Sequence, residues 1–193
     1  MKVLLPVAAY LVGSVSSAVV VSRAMRLPDP RHSGSGNPGA TNVLRLGGRK
    51  AAGWTLAGDI AKGALPVVVA RVAGLSAAWL AVTALLAFLG HLFPVFFGFK
   101  GGKGVATAFG ALTALDAWLG LLLALTWITV AVISRYSSLS AIVSAVAAPV
   151  YAWRLLPERA GVAATAAMAV MLLWRHRRNI SNLCAGREGR IGH

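Results

Sequence analysis

The amino-acid sequence predicts an all-α protein, a polytopic membrane bundle of seven transmembrane helices. Of its 193 residues, 58% are hydrophobic and only 12% are charged, which is about half the charged share of a typical soluble domain. The apolar residues form long runs, and a helix needs about 20 such residues to cross the hydrocarbon core of a bilayer. We therefore expect residues 1–193 to form a single integral-membrane domain.

The seven candidate spans follow from these apolar runs. They cover residues 3–22, 53–71, 75–97, 105–115, 117–133, 139–153 and 160–174. Asp116 divides the stretch from 105 to 133, which is too long for one ordinary span, so we predict a tight helical hairpin there. Five spans remain an alternative, because the segment 105–115 is short. Residues 1–22 lack an Ala-x-Ala cleavage site, and we interpret them as the first membrane helix rather than a signal peptide.

The distribution of Lys and Arg predicts the orientation of the chain. With seven spans, fourteen of the nineteen basic residues fall on one side of the membrane, four fall on the other, and Lys62 lies within a span. Cytoplasmic loops are rich in Lys and Arg, so we expect the N-terminus outside and the C-terminus inside. The basic residues lie between apolar segments and form no continuous face, which argues against nucleic-acid binding. Cys184 is the only cysteine, so an internal disulfide is excluded.

The first basic loop, SGSGNPGATNVLRLGG from Ser33 to Gly48, has the composition of an anion-binding loop. Glycines can take positive φ and turn backbone N–H groups towards an anion, and here they are Gly34, Gly36 and Gly39. Short polar side chains and a guanidinium suited to phosphate accompany them, at Ser35, Thr41, Asn42 and Arg45. The glycine spacing matches a dinucleotide fingerprint, but no apolar strand precedes it, so a Rossmann site is rejected. A flexible polar linker is the structural alternative.

The second basic loop, GHLFPVFFGFKGGKGVATAFG from Gly90 to Gly110, places glycines directly before a predicted helix. Lys100 and Lys103 flank Gly101 and Gly102, and Gly104 leads into the helix. A glycine loop that opens onto a helix N-terminus favours phosphate. A glycine follows Lys103 where a Walker A motif requires Ser or Thr, which excludes a P-loop ATPase. His91 is a candidate base, although we favour a packing role for it.

Two pairs of polar residues share a spacing of three positions. His176 and Asn179 lie in the basic segment WRHRRNISNLCAGREGR, where the spacing would place both on one helix face at the membrane interface. Asp59 and Lys62 lie within the second span, where charged groups are costly, and we expect them to pair with each other. Gly58, Gly63 and Pro66 predict that this helix is kinked or starts late.

With these segments in view, the chain resembles the PlsY family of bacterial glycerol-3-phosphate acyltransferases. The resemblance rests on GSGNPGATNVLRLGG, on the D-x-x-K-G of Asp59 to Gly63, on GHLFPVFFGFKGGKGVATAFG, on SRYSSLSAI and on HRRNI with Gly186 and Glu188. These blocks occur in order along nearly the whole chain. The resemblance implies seven membrane helices in a bacterial inner membrane, with the active site on the cytoplasmic side.

The resemblance also implies a reaction without cofactor or metal. An acyl group would pass from acyl phosphate to the 1-hydroxyl of sn-glycerol 3-phosphate, giving lysophosphatidic acid and inorganic phosphate. A separate enzyme would supply the acyl phosphate, and the remaining partner would be membrane lipid.

Residue roles carried over from the family form two overlapping groups. The expected glycerol-3-phosphate ligands are Ser35, Arg45, Lys103, His176 and Asn179, and the last four of these are the expected catalytic residues. The acyl-phosphate cradle would comprise Gly101, Gly102 and Gly104 with Thr41 and Asn42, while Gly36, Asn37 and Gly39 complete the substrate-binding set. Glu188 is expected to pair with an arginine.

The chain departs from the family at Ala141, where a serine is common, so Ser138 or Ser140 would supply the missing hydroxyl. The resemblance favours a direct transfer without a covalent acyl-enzyme, in which the phosphate of the substrate, whose second pKa is about 6, takes the proton. His176 is the alternative general base. A transporter for a phosphorylated solute is the rival hypothesis from another class, but it should show a repeat between halves, and none is found.

Overall fold

The computed structural model describes residues 3–191, and over that range it contains nine α-helices and no strand. The helices are α1 (Leu4–Gly13), α2 (Ser17–Ala24), α3 (Ala40–Val72), α4 (Ala77–Leu92), α5 (Val105–Leu115), α6 (Ala117–Ser134), α7 (Ser137–Leu155), α8 (Arg159–Arg175) and α9 (Arg177–Cys184). A 3-10 turn at Val95–Phe97 follows α4. The all-α prediction is confirmed.

The predicted division at Asp116 is present in the structure. Asp116 has extended backbone with φ of −155°, and its Oδ1 accepts a hydrogen bond of 2.8 Å from the N–H of Leu119. A carboxylate at this position satisfies a backbone donor that the first turn of a helix leaves free. Residues 105–134 therefore form two helices, α5 and α6, which pack against each other.

Two predicted segments need correction. The expected first helix, residues 3–22, is broken after Gly13, and α1 and α2 meet at an angle of 46°. The helix expected at 53–71 is present within α3, but a further helical segment from Ala40 precedes it, and the two join at a kink at Gly48, where φ is 75°, rather than at Gly58, Gly63 or Pro66. Thr41, Asn42 and Arg45 consequently lie on a helix and not in a loop.

By length and apolarity, three helical segments within residues 3–191 could cross a membrane: Ala77–Phe97, Ala117–Ser134 and Ser137–Leu155. The bent pair α1–α2 would make a fourth if it forms one span, and α5 is apolar but only 11 residues long. Helix α3 carries charged residues along its length, and α8 has 17 residues. The count of seven spans therefore stays a prediction.

Glycines allow two pairs of helices to pack with their backbones in close contact. In the α1–α4 pair, a side chain at Gly13 would strike the carbonyl of Ala87, and one at Gly90 would strike that of Tyr10. In the α3–α5 pair, the same holds for Gly63 and Gly110. Small residues of this kind characterise helix interfaces in membranes, where close packing rather than hydrophobicity drives association.

A buried ion pair joins these packed helices, as the spacing of Asp59 and Lys62 predicted. The Nζ of Lys62 lies 2.8 Å from Oδ1 of Asp59 and donates a hydrogen bond of 2.8 Å to the carbonyl of Val15. Val15 lies in the break between α1 and α2, where carbonyls lack helical partners. The Nδ1 of His91, on α4, is 3.6 Å from the same Asp59 oxygen. His91 is buried, in agreement with the packing role favoured from the sequence.

This arrangement predicts an asymmetric response to mutation. Lys62→Met should strongly destabilise the protein, by about 3–5 kcal/mol, because it leaves a buried carboxylate without its cation. The double variant Asp59→Asn/Lys62→Met should recover most of that loss, because no charge is then left unpaired. Apparent unfolding temperatures in detergent, with the exposed Lys50→Met as control, would measure both effects. Equal unfolding temperatures for Lys62→Met and Lys50→Met would contradict the prediction.

Candidate active site

Three segments distant in sequence meet at one end of the bundle. They are the first basic segment with the start of α3, the glycine loop from Lys100 to Gly104, and the chain from α8 to the C-terminus. Direct contacts between Lys103 and Asn179 and between Arg175 and the glycine loop join the second and third segments. The Nη2 of Arg45 approaches Gly189, which brings the first segment to the third.

The glycine loop packs tightly on the end of α4. Gly101, Gly102 and Gly104 are buried, and the N–H of Gly102 donates to the carbonyl of His91 at 3.2 Å. A side chain at Gly101 would strike the His91 carbonyl, and one at Gly102 would strike the His91 ring. Gly104 takes the left-handed conformation, with φ of 88°, and starts α5. The N–H groups of a helix start favour an anion in general, and the anion site expected here stays a prediction.

Lys103 projects from the loop to α9. Its Nζ donates a 2.6 Å hydrogen bond to Oδ1 of Asn179, whose Nδ2 donates at 2.6 Å to Oε1 of Glu188. Glu188 therefore pairs with an amide and not with an arginine, which corrects the expectation from the sequence. Burial lowers the pKa of Lys103, while the nearby Glu188 opposes that shift and the cations Arg175 and Arg45 reinforce it.

His176 lies at the junction of α8 and α9 and is only 2% exposed. The spacing predicted one helix face for His176 and Asn179, but α8 ends at Arg175 and α9 begins at Arg177, so that His176 lies between the two helices and not within the helix of Asn179. Its Nδ1 is 2.9 Å from the carbonyl of Leu172 and must donate, since a carbonyl only accepts. In the neutral ring, Nε2 therefore carries a lone pair. Burial lowers the pKa of His176 to about 4, so the ring is neutral at pH 7.

The first segment is stabilised from within by Asn42. Its Oδ1 accepts from the N–H of Ser35 at 2.9 Å, and its Nδ2 donates to the carbonyls of Pro30 and Ser33 at 2.9 and 3.0 Å. The side-chain amide of Asn42 thus stabilises the backbone of this segment. The family resemblance instead implies a place for Asn42 in the acyl-phosphate cradle.

The remaining groups of the first segment differ in exposure and backbone conformation. Gly34 and Gly36 have positive φ, of 62° and 70°, as predicted. Gly39 does not, because it is extended with φ of −150° and precedes the first turn of α3. The side chains of Ser35, Thr41 and Arg45 are exposed at this end of the bundle, and Asn37 is partly buried against Gly39.

Comparison with known proteins identifies the family. The glycerol-3-phosphate acyltransferase family model matches residues 3–186. Glycerol-3-phosphate acyltransferases of Thioalkalivibrio sulfidiphilus and Thiobacillus denitrificans are 56% and 57% identical, over 96% and 98% of this chain and 91% and 96% of their own. A crystal structure of PlsY (YgiH), an integral membrane glycerol 3-phosphate acyltransferase, in its glycerol 3-phosphate form superimposes with a TM-score of 0.93. It is 36% identical, over 99% of this chain and 96% of that one.

The chain belongs to the PlsY family of glycerol-3-phosphate acyltransferases. The lysophosphatidic acid form of PlsY (YgiH) superimposes nearly as well, with a TM-score of 0.90 and 35% identity over 99% of this chain and 95% of that one. The chain is therefore an acyltransferase with the fold of an integral membrane protein, which confirms the resemblance drawn from its motifs.

Two features of this PlsY-family site were missed from the sequence. Arg175 was counted only as a topological charge, yet its guanidinium contacts the glycine loop. The C-terminal residues also return to the junction of α6 and α7, where the N–H of Ile191 donates to the carbonyl of Arg135 at 2.7 Å and Nε of Arg190 donates to the Tyr136 hydroxyl at 3.2 Å. The only available signal for Arg175 was its position directly before His176 in a basic run.

The buried neutral His176 predicts a specific pH dependence of stability. The unfolded chain binds a proton at His176 below about pH 6.5, whereas the folded chain does so only near pH 4. The unfolded state therefore holds more protons between these values, and stability falls as the pH drops through this window. His176→Gln should remove this component, whereas His32→Gln, which changes an exposed side chain, should keep it. Unfolding temperatures from pH 4 to 7.5 would reveal the difference, and identical pH profiles for the wild type and His176→Gln would refute it.

Proposed function

We propose that the protein transfers an acyl group from acyl phosphate to the 1-hydroxyl of sn-glycerol 3-phosphate. The products are lysophosphatidic acid and inorganic phosphate. The solved PlsY structures, described as glycerol 3-phosphate and lysophosphatidic acid forms, support the acceptor and the lipid product. Acyl phosphate as the donor is supported by the glycine loop, which offers a second place for a phosphate beside the first.

The observation that carries this proposal is the position of Lys103. Its backbone belongs to the glycine loop, and its ammonium group binds Asn179 on another helix, 2.6 Å away. One residue thus joins the two places where a phosphate would bind. Two phosphorylated substrates bound on either side of Lys103 would have their reacting groups close together, which is the main requirement for a bimolecular transfer.

The proposed ligands fall into two groups that meet at Lys103. Glycerol 3-phosphate is held by Ser35, Arg45, Lys103, His176 and Asn179. Acyl phosphate is held at the loop of Gly101, Gly102 and Gly104, where the N–H of Gly102 is already bonded to the His91 carbonyl and the N–H groups of Lys103 and Gly104, free within residues 3–191, face the phosphate. Thr41 and the turn of Gly36, Asn37 and Gly39 lie beside this loop. Asn42 acts mainly by fixing the backbone of Ser35, because its own amide is already bonded. Arg45 and Lys103 supply the positive charge that both phosphates require.

Ser138 is the better candidate for the hydroxyl that replaces the family serine at position 141. The Oγ of Ser140 donates to the carbonyl of Tyr136 at 2.8 Å and is thereby engaged. The Oγ of Ser138 is buried and has no hydrogen-bond partner among the residues described. It lies in the first turn of α7, two positions after Tyr136, whose hydroxyl accepts a hydrogen bond from Arg190.

The acyl transfer is direct and assisted by the substrate. The 1-hydroxyl oxygen attacks the carbonyl carbon of the acyl phosphate, the bond from that carbon to the phosphate oxygen breaks, and inorganic phosphate leaves. The hydroxyl proton passes to the phosphate of glycerol 3-phosphate, whose second pKa is about 6. His176, with its low pKa, is a weak base and instead accepts a hydrogen bond at Nε2. Arg45 and Lys103 stabilise the negative charge that develops in the transition state.

The site faces the cytoplasm in a bundle of seven spans, with the N-terminus outside and the C-terminus inside the inner membrane. The excess of basic residues on the side that carries all three site segments supports this orientation. The acyl chain then enters from the lipid, and glycerol 3-phosphate enters from the cytosol. A separate cytosolic reaction must supply the acyl phosphate.

Phosphate release tests the function directly. Purified protein in lipid, given palmitoyl phosphate and glycerol 3-phosphate, should release inorganic phosphate only when both substrates are present. Arg45→Ala should reduce the rate by at least about 100-fold, because it removes a guanidinium from a charged ligand. Arg49→Ala changes an exposed arginine of the same helix and is the matched control. Absence of release from folded wild-type protein would reject the acyltransfer, and a liposome uptake assay would then test the rival transporter.

The pH dependence of the rate identifies the base. If the substrate phosphate takes the proton, kcat should rise with pH near the second pKa of the phosphate, about 6. His176→Ala should lower the rate but keep this rise of kcat with pH. If His176→Ala is folded, binds both substrates and no longer shows the rise, His176 is the base.

A further inference from the structure

Arg175 makes a two-point contact that the proposed reaction has not used. It is the last residue of α8 and is partly buried. Its Nε donates to the carbonyl of Gly102 at 2.9 Å, and its Nη2 donates to the carbonyl of Gly101. These partners lie more than 70 positions earlier in the chain. A planar guanidinium matches two neighbouring acceptors in a way that a lysine ammonium does not.

The contact fixes the orientation of two successive peptide units. A trans peptide is planar, and its C=O and N–H groups point in opposite directions. The unit between Gly101 and Gly102 is held at both ends, by Arg175 at the carbonyl and by the His91 carbonyl at the N–H. The unit between Gly102 and Lys103 is held at its carbonyl. The N–H of Lys103 is therefore directed away from Arg175.

The two backbone N–H groups that follow the held carbonyls are not used in hydrogen bonds to the described part of the protein. Within residues 3–191, the N–H groups of Lys103 and Gly104 donate to no protein acceptor. They precede the first turn of α5, whose own N–H groups add to the positive end of the helix. Glycine peptides rotate easily, and a rotated unit would present a carbonyl oxygen to the phosphate, which repels it. A loop that binds phosphate therefore needs its carbonyls held elsewhere.

We propose that Arg175 is a positioning residue for the donor substrate: it holds the carbonyls of Gly101 and Gly102 so that the following N–H groups face the phosphate of acyl phosphate. This inference rests on the proposed function, since it names the loop as the acyl-phosphate site. Arg175 does not touch the substrate. Its effect should therefore appear in the binding of acyl phosphate and not in the binding of glycerol 3-phosphate.

Steady-state kinetics with palmitoyl phosphate and glycerol 3-phosphate test the proposal. Arg175→Gln should raise the KM for palmitoyl phosphate by about tenfold or more and leave the KM for glycerol 3-phosphate within about twofold. Arg175→Lys should recover only part of the lost affinity for palmitoyl phosphate, because lysine keeps the positive charge but lacks the two coplanar N–H donors of the guanidinium. Arg177→Gln is the matched control, since its exposed guanidinium contacts only the Trp174 carbonyl and ring.

A chemical rescue separates positioning from simple support of the fold. Ethylguanidinium added to Arg175→Ala should lower the KM for palmitoyl phosphate again, whereas ethylammonium at the same concentration should not. An unchanged KM for palmitoyl phosphate in Arg175→Gln would overturn the proposal, as would an equal rise in both KM values together with a lower unfolding temperature. If Arg175→Gln does not fold, a wild-type KM in Arg175→Lys would overturn it as well. A wild-type protein that does not use palmitoyl phosphate would reject the proposed function itself.

Discussion

The buried ion pair of Asp59 and Lys62 is the interaction on which the site end of the bundle depends. Lys62 satisfies the carbonyl that the break after α1 leaves open, and Asp59 compensates its charge. His91, beside the same carboxylate, gives its backbone carbonyl to the glycine loop. A charge buried in this way is costly unless all its partners are present. The cluster therefore links the break between α1 and α2, α3, α4 and the glycine loop into one unit.

The active site adds long-range polar contacts to those of the Asp59–Lys62 cluster. Lys103, Asn179 and Glu188 form a chain of two hydrogen bonds, each 2.6 Å long. The carboxylate fixes the amide of Asn179 so that its oxygen faces the lysine, because Nδ2 donates and Oδ1 accepts. Arg45, Lys103 and Arg175 bring more positive charge than Glu188 balances. In the proposed function two bound phosphates would complete this balance, and the clustered cations would then be compensated.

Local patterns allowed much of the fold to be predicted, and distant contacts account for what was missed. Apolar runs located most of the helices, and Asp116 and the glycines before Val105 marked helix starts, because these signals lie within a few residues of their effect. The break after Gly13 lies at the short segment from Ser14 to Ser17, where three serines separate two apolar runs, and Lys62, 47 positions later, binds the carbonyl of Val15 there. The start of α3 at Ala40 was hidden by a loop-like composition. The contacts of Glu188 and Arg175 could not be predicted, because their partners are brought near them only by the tertiary fold.

The site is suited to hold reactants rather than to form a covalent intermediate. Cys184 is exposed near the end of α9, and Nδ1 of His176 is committed to a backbone carbonyl. In the proposed reaction the acyl phosphate is already activated, so the enzyme would gain most by aligning it with the hydroxyl and stabilising the developing charge. A protonated His176 would add a cation beside Lys103 and Arg175. Burial keeps the ring neutral, so in the proposed reaction Nε2 would accept a hydrogen bond from the attacking hydroxyl while the positive charge stays on Arg45 and Lys103.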